Sequence, residues 1–400
     1  QPSLENVMVA AGVAHAVELH GARRFSDAAA AWRTLVDGAV SNRRDDIVAL
    51  AGFSFAAQSR RAAQWAPFGD GALVVPELLY RRGGTHAEAT FATIVRPGTP
   101  TDEVIFGLAP LLDETGGELP APCLSARESC DDASAADEWA GAVTAITAAI
   151  SAGRIEKAVL AREVVMRADE QIDETAVLAR LRDGYPGCTV FSFRRGPACF
   201  VGATPEQLVR VEGRSVHATC VAGSARRGAD EADDEAAGRA LLADAKERRE
   251  HQLVVDMITA SLAPLCDGLD VPAKPALMRM SNVQHLYTPV QGTLSGDVGV
   301  LELVERLHPT PAVGGMPREE ALALIGRHET FDRGWYAGPV GWVGAGGDGE
   351  FSVALRSGLV TDREARLFAG CGIVAGSDPQ REYEESILKL RPMLWALNQI

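Results

Sequence analysis

A few side chains stand where their surroundings argue against them, and these are the residues that could do chemistry. Lys157 lies in Ile155-Glu156-Lys157-Ala158-Val159-Leu160-Ala161-Arg162, where strand alternation places it on one face with Ile155, Val159 and Ala161. The plain reading is a lysine at a strand end whose amine reaches water. The sharper one is a desolvated amine, its pKa lowered from about 10.4 toward neutrality, as a general base requires. Glu206 follows a strand in Gly202-Ala203-Thr204-Pro205-Glu206. It is either an ordinary exposed turn residue or a carboxyl presented into a dry pocket, where it would stay protonated and act as a general acid. Glu250 precedes Leu253, Val254 and Met257 at helical spacing, so its carboxylate shares the inward face and needs a metal or a basic partner. Lys246, one turn earlier, is the nearby basic residue.

Glu382, Glu385 and Lys389 form one stripe on the last helix. This is either a solvated i,i+4 ion pair or a set of hard oxygens for Mg²⁺ beside a lysine that faces an anion. Gly223-Ser224 and Gly370-Cys371-Gly372 could offer backbone N–H groups to an anion. Gly370, Gly372 and Gly376 do not fit GxGxxG, which excludes a dinucleotide fingerprint. His285 stands alone in Asn282-Val283-Gln284-His285-Leu286, and no HxH or HExxH pattern supports zinc.

The elements that must hold these residues are legible from periodicity. Trp139, Val143, Ile146 and Ile150 mark a helix after a start at Ser134 and Asp137, with Gly153 as its stop. Strands are expected at Ile155–Val165, Thr189–Phe193, Ala198–Val201, Val209–Val211, Val216–Val221, Gln284–Leu294 and Arg366–Phe368. Gly338–Val343 and Phe351–Val360 read as a hairpin around Gly344–Gly349. One long helix is expected from roughly Glu235 to Cys266, and a last helix starts at Ser377 with Pro379 in its first turn. Residues 1–107 read as mixed α/β, and Leu108–Asp132, rich in Pro, Gly, Ser and acids, as a long surface connection. Strands follow one another directly, which favours an α+β fold with large antiparallel sheets over a parallel one.

The 400 residues suffice for a large core. A net charge of −15 argues against nucleic acid and anionic membranes as partners. It also obliges any anion site to gather its own cations. Seven scattered cysteines without a CxxC pair predict neither a disulfide framework nor a zinc site, and suit a reducing cytoplasm. No run is long and apolar enough to span a bilayer, and no secretion signal is evident.

Taken in order, the segments Ile155–Arg162, Gly202–Glu206, Lys246–His251, His308-Pro309-Thr310-Pro311-Ala312-Val313-Gly314-Gly315, Asp332-Arg333-Gly334-Trp335-Tyr336-Ala337-Gly338, Gly370–Gly372 and Tyr383–Lys389 resemble the chorismate-utilising enzymes. That family includes isochorismate synthase, salicylate synthase, anthranilate synthase component I and aminodeoxychorismate synthase. The resemblance covers about residues 135–397; residues 1–134 would be a divergent N-terminal part and 135–400 the catalytic part of one structural unit. It implies two large antiparallel sheets packed as a core with helices outside.

The resemblance also implies roles. Glu250 and Glu385 would be direct magnesium ligands, with Glu382 contributing through water, and the metal would hold the ring carboxylate of chorismate. Arg356, expected in the strand from Ser352, and Tyr336 would hold the enolpyruvyl carboxylate. Gly223, Ser224, Gly370 and Gly372 would line the ring and carboxylates, Lys389 would lie near the metal, and His285 would neighbour a ring hydroxyl. Relatives that add ammonia usually carry glutamine where this chain has Lys157, because ammonia needs no base. Water does. Lys157 thus implies water addition at ring carbon 2 while Glu206 protonates the hydroxyl leaving carbon 4, giving isochorismate. Salicylate synthases, which go on to eliminate pyruvate, tend to carry threonine where Ala312 stands; Ala312 with Leu355 points to stopping at isochorismate. Val313 departs from the more usual leucine. A non-catalytic chorismate-binding protein would lack the acid, base or metal ligands. No amidase subunit is implied, a monomer is expected, and the product could serve menaquinone, a catecholate siderophore or a salicylate-containing product.

Overall fold

A run such as Ala198–Thr204, buried at every residue, has no polar face to give to solvent and must lie inside a layered structure. The structure, a computed structural model, describes residues 6–57, 62–98, 100, 102, 126–128, 133–280 and 283–397. In chain order its strands are β1 (Val7–Ala11), β2 (His15–Leu19), β3 (Val48–Phe53), β4 (Gly71–Val75), β5 (Leu78–Gly83), β6 (His86–Phe91), β7 (Ala126–Glu128), β8 (Lys157–Ala168), β9 (Thr189–Arg195), β10 (Ala198–Thr204), β11 (Gln207–Glu212), β12 (Ser215–Arg226), β13 (Cys266–Asp270), β14 (Ala276–Arg279), β15 (Val283–Leu294), β16 (Gly315–Met316), β17 (Pro339–Gly344), β18 (Gly349–Val353), β19 (Ser357–Thr361) and β20 (Glu364–Ile373). The helices are α1 (Arg24–Gly38), α2 (Ala133–Ser151), α3 (Glu174–Gly184), α4 (Glu231–Ala243), α5 (Ala245–Leu262), α6 (Val300–Leu307), α7 (Arg318–His328) and α8 (Pro379–Ala396).

Two large antiparallel sheets dominate, as expected. The larger has ten strands in the order β13-β15-β12-β11-β18-β17-β3-β4-β2, with β14 beside β15. The smaller has seven in the order β16-β8-β20-β19-β10-β9, with β7 beside β8. The first hundred residues supply β2, β3 and β4 to the larger sheet, and β1, β5 and β6 form a separate small one. The main core includes Phe53, Trp65, Phe68, Phe200, Trp335, Phe351 and Phe368. Rings here meet edge-on or stacked, as the Trp65–Phe200 and Tyr336–Phe368 pairs do. Helices lie outside. Trp139, Val143 and Ile146 of α2 and Leu324 of α7 form a second cluster with Leu160 and Ile373. Val177 and Leu181 of α3 and Met393 of α8 form a third with Val201 and Leu367.

Two of the passages from one sheet to the other run side by side. β10 and β19 pair in the smaller sheet, and their continuations β11 and β18 pair in the larger. The two crossings are stitched together: the Ala203 N–H donates to Arg356 O (3.1 Å), the Val353 N–H to Glu206 O (3.0 Å), and Thr204 Oγ1 to Val353 O (2.6 Å).

Several sequence expectations are corrected at particular residues. The predicted strand Phe351–Val360 is two strands in different sheets, because Arg356 turns the chain with φ 49°, a left-handed conformation uncommon without glycine. Arg356 therefore lies at a crossing and not within a strand. The predicted helix Glu235–Cys266 is two helices, and Cys266 begins β13. Asp244 is extended (ψ 120°), and its side chain accepts the Lys246 and Glu247 N–H groups, restarting the helix as an N-cap. The last helix is capped by Asp378, whose side chain accepts the Arg381 N–H, one residue after the predicted Ser377. α2 begins at Ala133, so Ser134 lies inside it. The predicted strand Arg366–Phe368 is longer and takes in Gly370–Gly372 as part of β20. The predicted surface connection at 108–132 lies outside the described residues, apart from β7.

Candidate active site

The two crossings open onto one cleft between the sheets, roofed by α5 and α8. Its lining contains every residue singled out in the sequence except Lys157: Glu206, Gly223, Ser224, Glu250, His285, Ala312, Tyr336, Leu355, Arg356, Gly370, Gly372, Glu382, Glu385 and Lys389. Lys157, the first residue of β8, sits behind that surface with no solvent exposure. Its Nζ lies 2.8 Å from Glu250 Oε1 as an ion pair, without hydrogen-bond alignment to any acceptor. The partner of Glu250 is thus Lys157 and not Lys246, which reaches Glu382 instead (3.4 Å). Gly372 makes the pair possible. A Cβ there would lie 2.4 Å from Glu250 Oε1 and 2.9 Å from Lys157 Cε.

Glu206 is held in the first crossing and is buried. Burial pushes its carboxyl up to about 7, against the lowering pull of Lys157, Lys389 and Arg356. His285, on β15, is buried too, and burial drops its imidazole to about 3, with Arg356 and Lys389 adding to the fall. Its Nδ1 is 2.9 Å from Ser224 Oγ and 3.3 Å from Gly223 O, while Nε2 has no hydrogen-bond partner. The neutral ring thus holds one nitrogen by the wall and leaves the other uncommitted. Gly223 has φ 78°, which a side chain would strain, and the β12–β15 register shifts there.

The carboxylates cluster on two helices. α5 supplies Glu247 and Glu250; α8 supplies Glu382 and Glu385. Glu247 was not singled out in the sequence. Its signal was present, since it stands three residues before Glu250 on the same face, the spacing of Glu382 and Glu385. Burial and then the Glu250 charge push Glu247 up to about 7, although the Ser224 N–H donates to it. Burial and then Glu385 raise Glu382, with Lys246 opposing. Burial works to raise Glu385 as well, but the Lys389 ammonium at 2.7 Å outweighs it and the group falls below the usual carboxylate range. Lys389 also donates to Gly370 O (2.9 Å).

Crowded carboxylates, two of them resisting ionisation, form a donor set that a hard divalent cation would relieve. Cys371 Sγ also comes within 4.8 Å of oxygens of Glu382 and Glu385. It donates to Glu382 O, and burial holds its thiol well above the ordinary range, so oxygen alone defines the set. The same cleft is lined by the buried Arg356 and by Tyr336, whose ring stacks on Phe368 (5.2 Å between centroids). The cleft thus offers cation-favouring oxygens together with a guanidinium and a phenol. This suits a small molecule bearing more than one acidic group.

Comparison with known proteins bears on this arrangement. Residues 1–398 match the family described as chorismate binding enzyme. The isochorismate synthase MenF of Bacillus subtilis is 39% identical over 357 residues, covering 88% of this chain and 74% of that protein. The salicylate biosynthesis isochorismate synthase of Pseudomonas aeruginosa is 38% identical over 403 residues, covering 100% and 84%. The solved structure of MenF, the menaquinone-specific isochorismate synthase of Escherichia coli, superimposes with a TM-score of 0.82 at 27% identity, covering 98% of this chain and 87% of that one. The matched span takes in both sheets and every wall of the cleft, and on that ground the chain belongs to the chorismate binding enzyme family.

Proposed function

We propose that this protein is an isochorismate synthase, an isomerase that moves the hydroxyl of chorismate from ring carbon 4 to carbon 2. The observation that carries the reading is a pair of buried titratable groups. Glu206 keeps its proton to about pH 7 at the crossing between the sheets, and Lys157 is buried at the start of β8. In the proposed reaction the Lys157 amine accepts a proton from a water that attacks carbon 2. The ring double bonds shift, and Glu206 gives its proton to the hydroxyl leaving carbon 4 as water. One water enters and one departs, so the product is an isomer. Arg356 and Tyr336 hold the enolpyruvyl carboxylate. His285 presents a neutral nitrogen to a ring hydroxyl, and Gly223, Ser224, Gly370 and Gly372 allow close approach of the ring.

We infer that Mg²⁺ is the cofactor. Glu250 and Glu385 would hold it directly, Glu382 through water, and Glu247 shares their wall. Bound there, it would supply positive charge to the ring carboxylate. Lys389 supports the same carboxylate from α8, and Ala312 and Leu355 shape the ring wall so that the reaction stops at isochorismate. Among the described residues no helix is long and apolar enough to cross a membrane. A monomer acting in the cytoplasm, without an amidase subunit, is part of the same reading. Menaquinone or siderophore synthesis is proposed as the use of the product; the similar MenF of Escherichia coli is described as menaquinone-specific. Chromatography of the products formed from chorismate with and without Mg²⁺ tests the proposal. Isochorismate is expected, and accumulation of salicylate with pyruvate would replace it with the two-step reaction.

A further inference from the structure

The edge of β8 just past the candidate base is completed largely by side chains. β16 pairs with β8 only at Lys157 and Ala158. Just past that point the Val159 N–H donates to Gly314 O (2.8 Å), Val159 O accepts Arg333 Nη2 (2.7 Å), and the Ala161 N–H donates to Glu329 Oε1 (2.8 Å). Glu329 and Arg333 are both buried, and they bind each other through Arg333 Nε and Glu329 Oε2 (2.8 Å). Arg333 Nη1 donates to Val313 O (3.0 Å), on the wall that includes Ala312. The guanidinium lies over the Phe55 ring at 4.1 Å and 6.0 Å from the centre of the Tyr336 ring. One planar group therefore touches the strand of the base, the wall beside the ring, and the neighbourhood of the carboxylate-binding phenol.

A buried ion pair is weak evidence for stability, because a well-packed apolar pair often serves as well. What it supplies here is geometry. The guanidinium fork fixes several donors at set angles, and a lysine offers only a point charge. We propose that Arg333, held by Glu329, is a positioning residue that sets the spacing between Lys157 and the substrate wall built by Ala312, Val313 and Tyr336. This inference rests on the isochorismate synthase reading for its kinetic test, but its structural half does not. A small displacement of reacting groups costs about 100-fold in rate.

Arg333→Lys is therefore expected to lower kcat about 100-fold while the KM for chorismate stays within about threefold, because binding groups remain and alignment is lost. Glu329→Gln keeps an acceptor for the Ala161 N–H and should retain most of the kcat that Glu329→Leu loses. Amide exchange at Ala161, followed by mass spectrometry without substrate, should quicken in Glu329→Leu and not in Glu329→Gln. A folded Arg333→Lys enzyme with wild-type kcat overturns the proposal. If Arg333→Lys does not fold, equal kcat per folded molecule in the two Glu329 variants overturns it instead. If wild-type protein makes no isochorismate, the functional reading fails; unchanged Ala161 exchange in Glu329→Leu then overturns the clamp on its own.

Discussion

On the side of the cleft formed by the larger sheet, titratable groups are kept neutral. Glu206 is pushed up to about 7 and His285 down to about 3, burial being the leading cause of both. Across the cleft, titratable groups are paired with one another: Lys157 lies against Glu250, and Lys389 against Glu385. The difference follows from what each wall is made of. Glu206 sits in a backbone crossing stitched by main-chain hydrogen bonds, where burial outweighs the pull of Lys157, Lys389 and Arg356. The lysines meet helix faces that carry carboxylates at three-residue spacing. A proton donor needs a dry wall, and an anionic substrate needs a charged one. The fold provides both by facing a sheet crossing with a helix pair.

The sharpest way to break this contrast is Lys157→Gln, which removes the base and leaves Glu250 unmatched. It should reduce isochorismate formation by roughly 10³-fold, within the range of a general base, with chorismate and Mg²⁺ still bound by calorimetry. Unchanged turnover would refute the assignment. Glu206→Gln should cost about 10²-fold in kcat and yet stabilise the protein at high pH. The sign follows from linkage. With the folded carboxyl raised from 4.5 to about 7, its stabilising contribution is full below pH 4.5 and is lost as pH rises through 7. The amide removes that loss, so the variant should exceed wild type by about 3 kcal/mol at pH 8 and by little at pH 4, at 1.36 kcal/mol per pKa unit. Denaturant melts at the two pH values measure this, and a pH-independent difference would show that burial does not govern Glu206.

Smaller effects should sharpen the charged side. Glu250→Gln is expected to raise the Mg²⁺ concentration for half-maximal rate by about 10-fold or more and to lower activity with it. A full-speed variant would put the metal elsewhere. The smallest change is Asp244→Ala, which deletes the cap that starts α5 and should cost about 1 kcal/mol in denaturant unfolding. If the cap aims Glu247 and Glu250, a modest rise in Mg²⁺ requirement accompanies it.

Much of the site was legible because its residues contradict their local pattern. Lys157 interrupts an apolar strand face, and Glu250 shares an inward helix face with Val254. The helix of Trp139 and Val143 and the antiparallel sheets followed from periodicity. What was hidden depends on contacts remote in sequence. Nothing near Lys157 announces Glu250, and nothing in the apolar run from Phe351 to Val360 says that the backbone changes sheets at Arg356. The break at Asp244 carried a local signal, an N-cap aspartate, but it was masked by good helix formers on either side. The strands β13 and β14 are short and partly exposed, so alternation hardly registers.

The paired crossings also bear on how the protein acquires its activity. Thr204 and Val353, joined there, are 149 residues apart. Such non-local closure is slow, because the entropy of a long loop is lost before the contact rewards it. Neither Glu206 nor Arg356 can take its place until both sheets exist, so no fragment ending between them holds half a site. Recovery of catalysis during refolding should therefore lag behind the return of secondary structure, and enzyme activity would be a late clock for the assembly of this chain.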